Sequence, residues 1–130
     1  SSAIGGHVEV QDGAVLGGLC AVHQHCRVGR LAMVGGGAMC AQDVPPFTMA
    51  QGDRARLYGL NIIGLRRAGA DNDVISALKE AWRVLFVSGM PRRVALSRVA
   101  EAHPDDAAVQ ELLAFVEASE RGVCRAGLRG

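Results

Sequence analysis

The sequence predicts a short parallel β-helix of hexapeptide repeats, about two coils long, followed by an α-helical bundle. Three observations carry that prediction. Apolar residues recur every six positions through the first third, at Ile4, Val10, Leu16, Val22, Val28, Val34 and Cys40. Small or medium apolar residues stand four positions after the first six of these, at Val8, Ala14, Cys20, Cys26, Ala32 and Ala38. Beyond Pro45 and Pro46 the six-residue period stops, and apolar residues fall at helical spacing instead.

A period of six fits neither a helix, which wants about 3.6, nor a half-buried strand, which wants about 2. It suits a parallel β-helix, where each hexad makes one short strand and one corner. The repeated aliphatic points inward and stacks on its equivalent in the next coil, about 4.8 Å away. One residue later stand Gly5, Gln11, Gly17, His23, Gly29 and Gly35. The glycines are expected to ease the backbone conformation of the corner. Three hexads make one triangular coil, so residues 1–43 supply a little over two coils. A flexible glycine-rich segment would not keep aliphatics in register over so many repeats. Repeat architectures usually need about three units or more. Because the chain also opens on Ser1, it is expected to belong to a longer polypeptide with further coils before it.

Residues 44–53 are expected to form a loop, since two prolines cannot continue a ladder inside a sheet. A helical domain is expected over 54–123, its first helix near 54–67. Asp71 is the expected N-cap of the second helix, with Val74, Leu78, Ala81, Trp82 and Leu85 on one face. Gly89 and Pro91 end it. A third helix is expected near 92–102, and a fourth opened by Pro104 with Val109, Leu112, Leu113 and Val116 on its apolar face. Residues 124–130 read as a flexible tail. The bundle can cover the edge of the last coil, which would otherwise present unpaired groups.

Bulk composition narrows the function. A net charge of +1 over 130 residues argues against a nucleic-acid binder, which is normally basic overall. No apolar run approaches the roughly 18 residues that span a bilayer, so no membrane insertion is expected. The four cysteines, at 20, 26, 40 and 124, make no C-x-x-C pair, which argues against a zinc knuckle. They read as reduced residues of a cytoplasmic protein.

The runs GGHVEV, AVHQHCRVG, MVGGGAMCAQDVPPFTMAQGD and GLNIIGLRR are more specific than the hexads. They resemble the UDP-N-acetylglucosamine O-acyltransferases of lipid A biosynthesis, enzymes of the left-handed β-helix class. The resemblance runs nearly the length of this chain and covers about the second half of the family protein. It implies a left-handed coil and a homotrimer with active sites in grooves between subunits. It also implies the reaction, the first step of lipid A biosynthesis. A 3-hydroxyacyl chain moves from the phosphopantetheine thioester of an acyl carrier protein to the 3-position of UDP-N-acetylglucosamine, with no other cofactor. The family's general-base histidine lies in a hexad that would precede Ser1, so this chain alone is expected to be inactive. The alternative is a non-catalytic cap that trimerises and docks the carrier protein.

The same resemblance assigns residues. Gly6 matches the glycine whose backbone N–H faces the developing oxyanion, a placement that stabilises a tetrahedral intermediate. His7, His23 and Gln24 match contacts to the sugar nucleotide, and Asn61 and Arg67 match contacts to the uridine diphosphate. Met33 and Gly36 match the acyl groove, where glycine leaves room for a long chain. Two positions depart from the family. Ile63 stands where many members carry an acid, and His25 where they carry an apolar residue. His25 follows His7 by eighteen residues, so the two are expected to stack on adjacent coils. A catalytic metal in a β-helix needs three converging histidines, so no metal is expected. Arg27, Arg30, Arg54, Arg56 and Arg66 are candidates for receiving the acidic carrier protein, since complementary charge speeds association.

Overall fold

The computed structural model describes residues 3–127, and the expectations that fall on 1–2 and 128–130 lie outside the described residues. Seven two-residue strands open the chain: β1 (Ala3–Ile4), β2 (Glu9–Val10), β3 (Val15–Leu16), β4 (Ala21–Val22), β5 (Arg27–Val28), β6 (Met33–Val34) and β7 (Met39–Cys40). They form three parallel faces: β1–β4–β7, β2–β5, and a third that begins β3–β6. Ala3 lies opposite Ala21, Glu9 opposite Arg27 and Val15 opposite Met33, so one coil is eighteen residues. The coils wind as a left-handed parallel β-helix.

Two apolar columns fill the prism. Val22, Val28, Val34 and Cys40 form one, and Cys20, Cys26, Ala32 and Ala38 the other, all buried. Ile4 and Val10 keep 51% and 41% exposure, because their coil is stacked on one side only among the described residues. The corner glycines act differently from the sequence expectation. Positive φ falls two residues after each of these corner positions, glycine or not, at His7, Gly13, Leu19, His25, Leu31 and Gly37. Gly5, Gly17 and Gly29 serve close approach instead. A Cβ on Gly17 would lie 2.5 Å from the Gly36 nitrogen of the next coil.

The four cysteines are free and buried in or against this core. Burial pushes the Cys40 thiol up to about 12 and the Cys124 thiol up to about 11. The folded chain therefore holds these protons more tightly than the unfolded chain. That stability is complete below pH 9.0 and is lost as pH rises through about 12. Denaturant midpoints measured at stepped alkaline pH should fall across that window, and Cys40→Ala should flatten the slope. An identical slope in the variant would refute the assignment.

Residues 44–53 are not the expected loop. Val44 still pairs with Val28, and β8 (Thr48–Gln51) continues the third face parallel to β6. Met33 faces Met49, so this last coil is two residues short. The prolines are tolerated because the coil is terminal there, and an edge has no onward ladder that needs their missing N–H. The helix expected from residue 54 is also displaced. Arg56–Leu60 forms β9, antiparallel to β8, which ends the parallel stack. Helix α1 begins only at Ile62 and ends at Arg67.

The remaining helices follow the sequence reading closely. Helix α2 (Asn72–Trp82) is capped by Asp71, whose Oδ1 accepts from the Val74 N–H at 3.0 Å. It runs on as a π-helical turn over Arg83–Val87. Helix α3 spans Arg92–Ala102 and α4 spans Ala107–Ala118. Asp106, not Pro104, caps α4, accepting from the Val109 N–H. Leu78, Val99, Val109 and Leu112 centre the helical core, which Phe47 and Leu60 join from the β side. Trp82 and Phe86 pack against both cores.

The tail is bound rather than free as far as Gly127. The Cys124 N–H donates to the Asp43 carbonyl, Leu57 N–H to Arg125, and Gly127 N–H to Leu57.

Candidate functional site

The register of the coils distributes the candidate residues over three edges of the prism. The first edge lies between the β1–β4–β7 and β2–β5 faces. There Gly5, Gly6 and His7 sit directly over His23, Gln24 and His25 of the next coil. Stacking is so close that a Cβ on Gly5 would lie 2.5 Å from the Gln24 nitrogen. The His25 N–H donates to the Gly6 carbonyl at 3.2 Å. The imidazoles of His7 and His25 lie parallel, 6° apart in plane and 5.2 Å between centroids. That is the stack expected from their eighteen-residue spacing. Both residues hold a left-handed backbone, φ 58° and 66°, a conformation that is uncommon outside glycine. It turns both rings outward into solvent. The Gly6 N–H has no hydrogen-bond partner among the described residues, and the space beside its Cα is open.

The second edge lies between the β2–β5 face and the β3–β6 face. Here α1 leans over the corner and encloses a cavity of about 340 Å³. Met33, Asn61, Ile63 and Arg67 line it together, with Leu31 at its base. Asn61 is only 5% exposed, and its amide is already committed. Its Oδ1 accepts from the Gly64 N–H at 3.1 Å, capping α1, and its Nδ2 donates to the Leu31 carbonyl at 2.9 Å. Asn61 therefore pins the start of α1 to the corner, which sets Ile63 and Arg67 over the cavity. Ile63 is 67% exposed, an apolar side chain where an acid would have placed charge.

Gly36 occupies the third edge, over Gly18. A Cβ there would lie 3.2 Å from the Gly18 carbonyl oxygen, so the groove along this corner is open only because neither position has a side chain.

The basic candidates divide. Arg27 and Arg30 are structural. Arg27 donates to the Phe115 carbonyl at 3.0 Å and lies 4.1 Å over the Phe115 ring. Arg30 makes a two-pronged pair with Glu111, its Nε and Nη2 each 3.0 Å from a carboxylate oxygen. Together they clamp α4 to the β-helix, which commits both guanidinium groups to contacts within the chain. Arg66 bonds the Asn72 side chain. Arg54 and Arg56 remain exposed.

Sequence reasoning missed Asp43. It is 1% exposed and accepts from the Arg27 backbone N–H at 2.7 Å and from the Ser119 hydroxyl at 2.6 Å. A carboxylate directly after the last full hexad, beside two prolines, was its only signal.

The family model for UDP-N-acetylglucosamine O-acyltransferase, domain 2, matches residues 43–124. The chain belongs to the UDP-N-acetylglucosamine O-acyltransferase family. The acyl-[acyl-carrier-protein]–UDP-N-acetylglucosamine O-acyltransferase of Burkholderia thailandensis is 44% identical over 129 residues, covering 96% of this chain and 49% of that protein. The Francisella novicida UDP-N-acetylglucosamine acyltransferase superposes with a TM-score of 0.90 at 30% identity, over 95% of this chain and 46% of that one. The Arabidopsis UDP-N-acetylglucosamine acyltransferase does so at 0.86 and 32%, over 95% and 51%. The chain thus spans about half the length of the acyltransferases it matches.

Proposed function

We propose that this chain provides the second half of an acyltransferase site. That site moves a 3-hydroxyacyl group from the thioester of an acyl carrier protein to the 3-hydroxyl of UDP-N-acetylglucosamine. The hydroxyl oxygen attacks the thioester carbon while a general base takes its proton. The tetrahedral oxyanion is held by the Gly6 N–H. Collapse breaks the C–S bond, and the carrier's thiolate leaves and is reprotonated. His7, His23 and Gln24 hold the sugar nucleotide, and Arg67 takes its diphosphate through a planar two-donor fork. Met33 and Gly36 line the path of the acyl chain. The base histidine is proposed to stand in a preceding coil, and the reaction to run in the cytoplasm.

One observation carries this reading. The histidine edge, the Arg67 cavity and Gly36 stand on different edges of one prism. A single chain cannot turn them toward one substrate. A threefold assembly brings two of these edges to each groove, because it sets one edge of each protomer against a different edge of its neighbour. The proposed assembly is therefore a homotrimer with its sites between subunits.

The test joins this chain at Ser1 to the preceding half of the Burkholderia thailandensis relative. The chimera should transfer acyl groups, while the chain alone should not. Arg67→Ala should raise KM for the nucleotide sugar about 10- to 100-fold, the worth of a charged hydrogen bond. Gly36→Met should shift preference toward shorter acyl chains. An inert chimera, or an Arg67→Ala variant with unaltered KM, would sink the reading.

A further inference from the structure

A second basic site lies apart from the Arg67 cavity, where the tail crosses the β1–β4–β7 face. A cleft of about 450 Å³ is lined there by Arg54, Arg56 and Arg125, with Met39, Gln42 and Cys124. Two segments, the β8–β9 hairpin and the tail, bring the arginines together. Arg54 stands in the β8–β9 turn, where a left-handed backbone (φ 70°) projects it. Arg56 opens β9. Arg125 is delivered by the tail, because its carbonyl accepts the Leu57 N–H at 2.8 Å.

No carboxylate lines this cleft. None of the three guanidinium groups has an ion pair or hydrogen bond among the described residues. Asp43, nearby in the core, is already engaged by Arg27 and Ser119. Arg121 adds another cation beside the cleft, donating to the Ala41 carbonyl at 3.3 Å. Cys124 cannot neutralise them, because burial holds it as a thiol, and its Sγ rests 3.6 Å from the Gln42 carbonyl oxygen. Like charges gathered without a counter-charge repel one another, and an anion between them relieves that repulsion. Guanidinium forks match phosphoryl oxygens best. Met39 makes part of the wall apolar, which suits a phosphate attached to a partly apolar arm.

We propose that the Arg54–Arg56–Arg125 cleft binds the phosphoryl group of a phosphate ester, at a site distinct from the Arg67 cavity. Only the source of that ester rests on the acyltransferase reading: it is the carrier's prosthetic arm or the sugar nucleotide. The chain is titrated with 4′-phosphopantetheine, pantetheine, UDP and inorganic phosphate, following the arginine side-chain N–H resonances by NMR. One phosphate ester should shift the signals of Arg54, Arg56 and Arg125. With 4′-phosphopantetheine as that ester, pantetheine should bind at least tenfold more weakly. With UDP as that ester, the nucleotide is the source. Arg54→Gln combined with Arg56→Gln should abolish the shifts. No shift with either ester, shifts that survive in the double variant, or inorganic phosphate binding as tightly as the better ester would overturn the proposal. The acyltransferase reading fails separately, through an unaltered KM in the Arg67→Ala chimera.

Discussion

Gly29→Ala should destabilise the chain by at least about 3 kcal/mol, more than ordinary overpacking costs. The added methyl carbon would lie 2.3 Å from the Pro46 nitrogen and 2.6 Å from its Cα. Those are backbone and ring atoms of a fully buried segment, so no flexible side chain can swing aside. Relief requires Pro46 to move outward. That movement would strain the Gly29 N–H bond to the Val44 carbonyl and lift the buried Phe47 beside it, which joins the helical core. Gly6→Ala is the matched control for stability, because nothing lies within 4 Å of its Cβ position. Its thermal midpoint should stay near that of the parent. If Gly29→Ala melted with Gly6→Ala, the close approach at the shortened coil would not exist.

Removing the Asp43 carboxylate should be comparably severe. Asp43 joins three parts of the molecule. Its oxygens accept from Arg27 in the second coil and from Ser119 at the end of α4. Its backbone pairs with Gly122 and Cys124 of the tail. Asp43→Ala leaves the Arg27 N–H and the Ser119 hydroxyl without their acceptor. It also takes from the Arg27 guanidinium the carboxylate 3.9 Å from its Nε. Breaking a buried pair from one side costs about 3–5 kcal/mol. Urea unfolding should register that loss, and amide exchange at Cys124 and Gly127 should accelerate. Asp43→Asn keeps one acceptor and should fall between the two. Parent-like exchange in Asp43→Ala would show that the tail is held by its backbone ladder alone.

The β-helix was legible because its constraint repeats. An apolar residue at every sixth position, in register from Ile4 to Cys40, has no other economical explanation. The His7–His25 stack followed from the same arithmetic. What escaped was whatever occurs once. The two-residue shortening of the last coil and the β8–β9 reversal have no period to announce them. Prolines were read as the end of the sheet, whereas they mark its edge. The left-handed backbone at Leu19, His25 and Leu31 was equally silent, since residue type gives no hint of it. Family motifs singled out Asn61, which lines the cavity, but gave no sign of its internal hydrogen bonds. Arg27 and Arg30 looked like surface charge until the fold set Phe115 and Glu111 against them.

The pairing of Ala3 with Ala21, and of Ala21 with Met39, limits how such a molecule can change length. Inserting one hexad would rotate everything downstream by a third of a turn and carry the arginine-bearing helix to a different edge of the prism. Inserting eighteen residues would add a storey and leave every wall facing as before. Growth by whole storeys is therefore the only kind that keeps the compass bearings of the site.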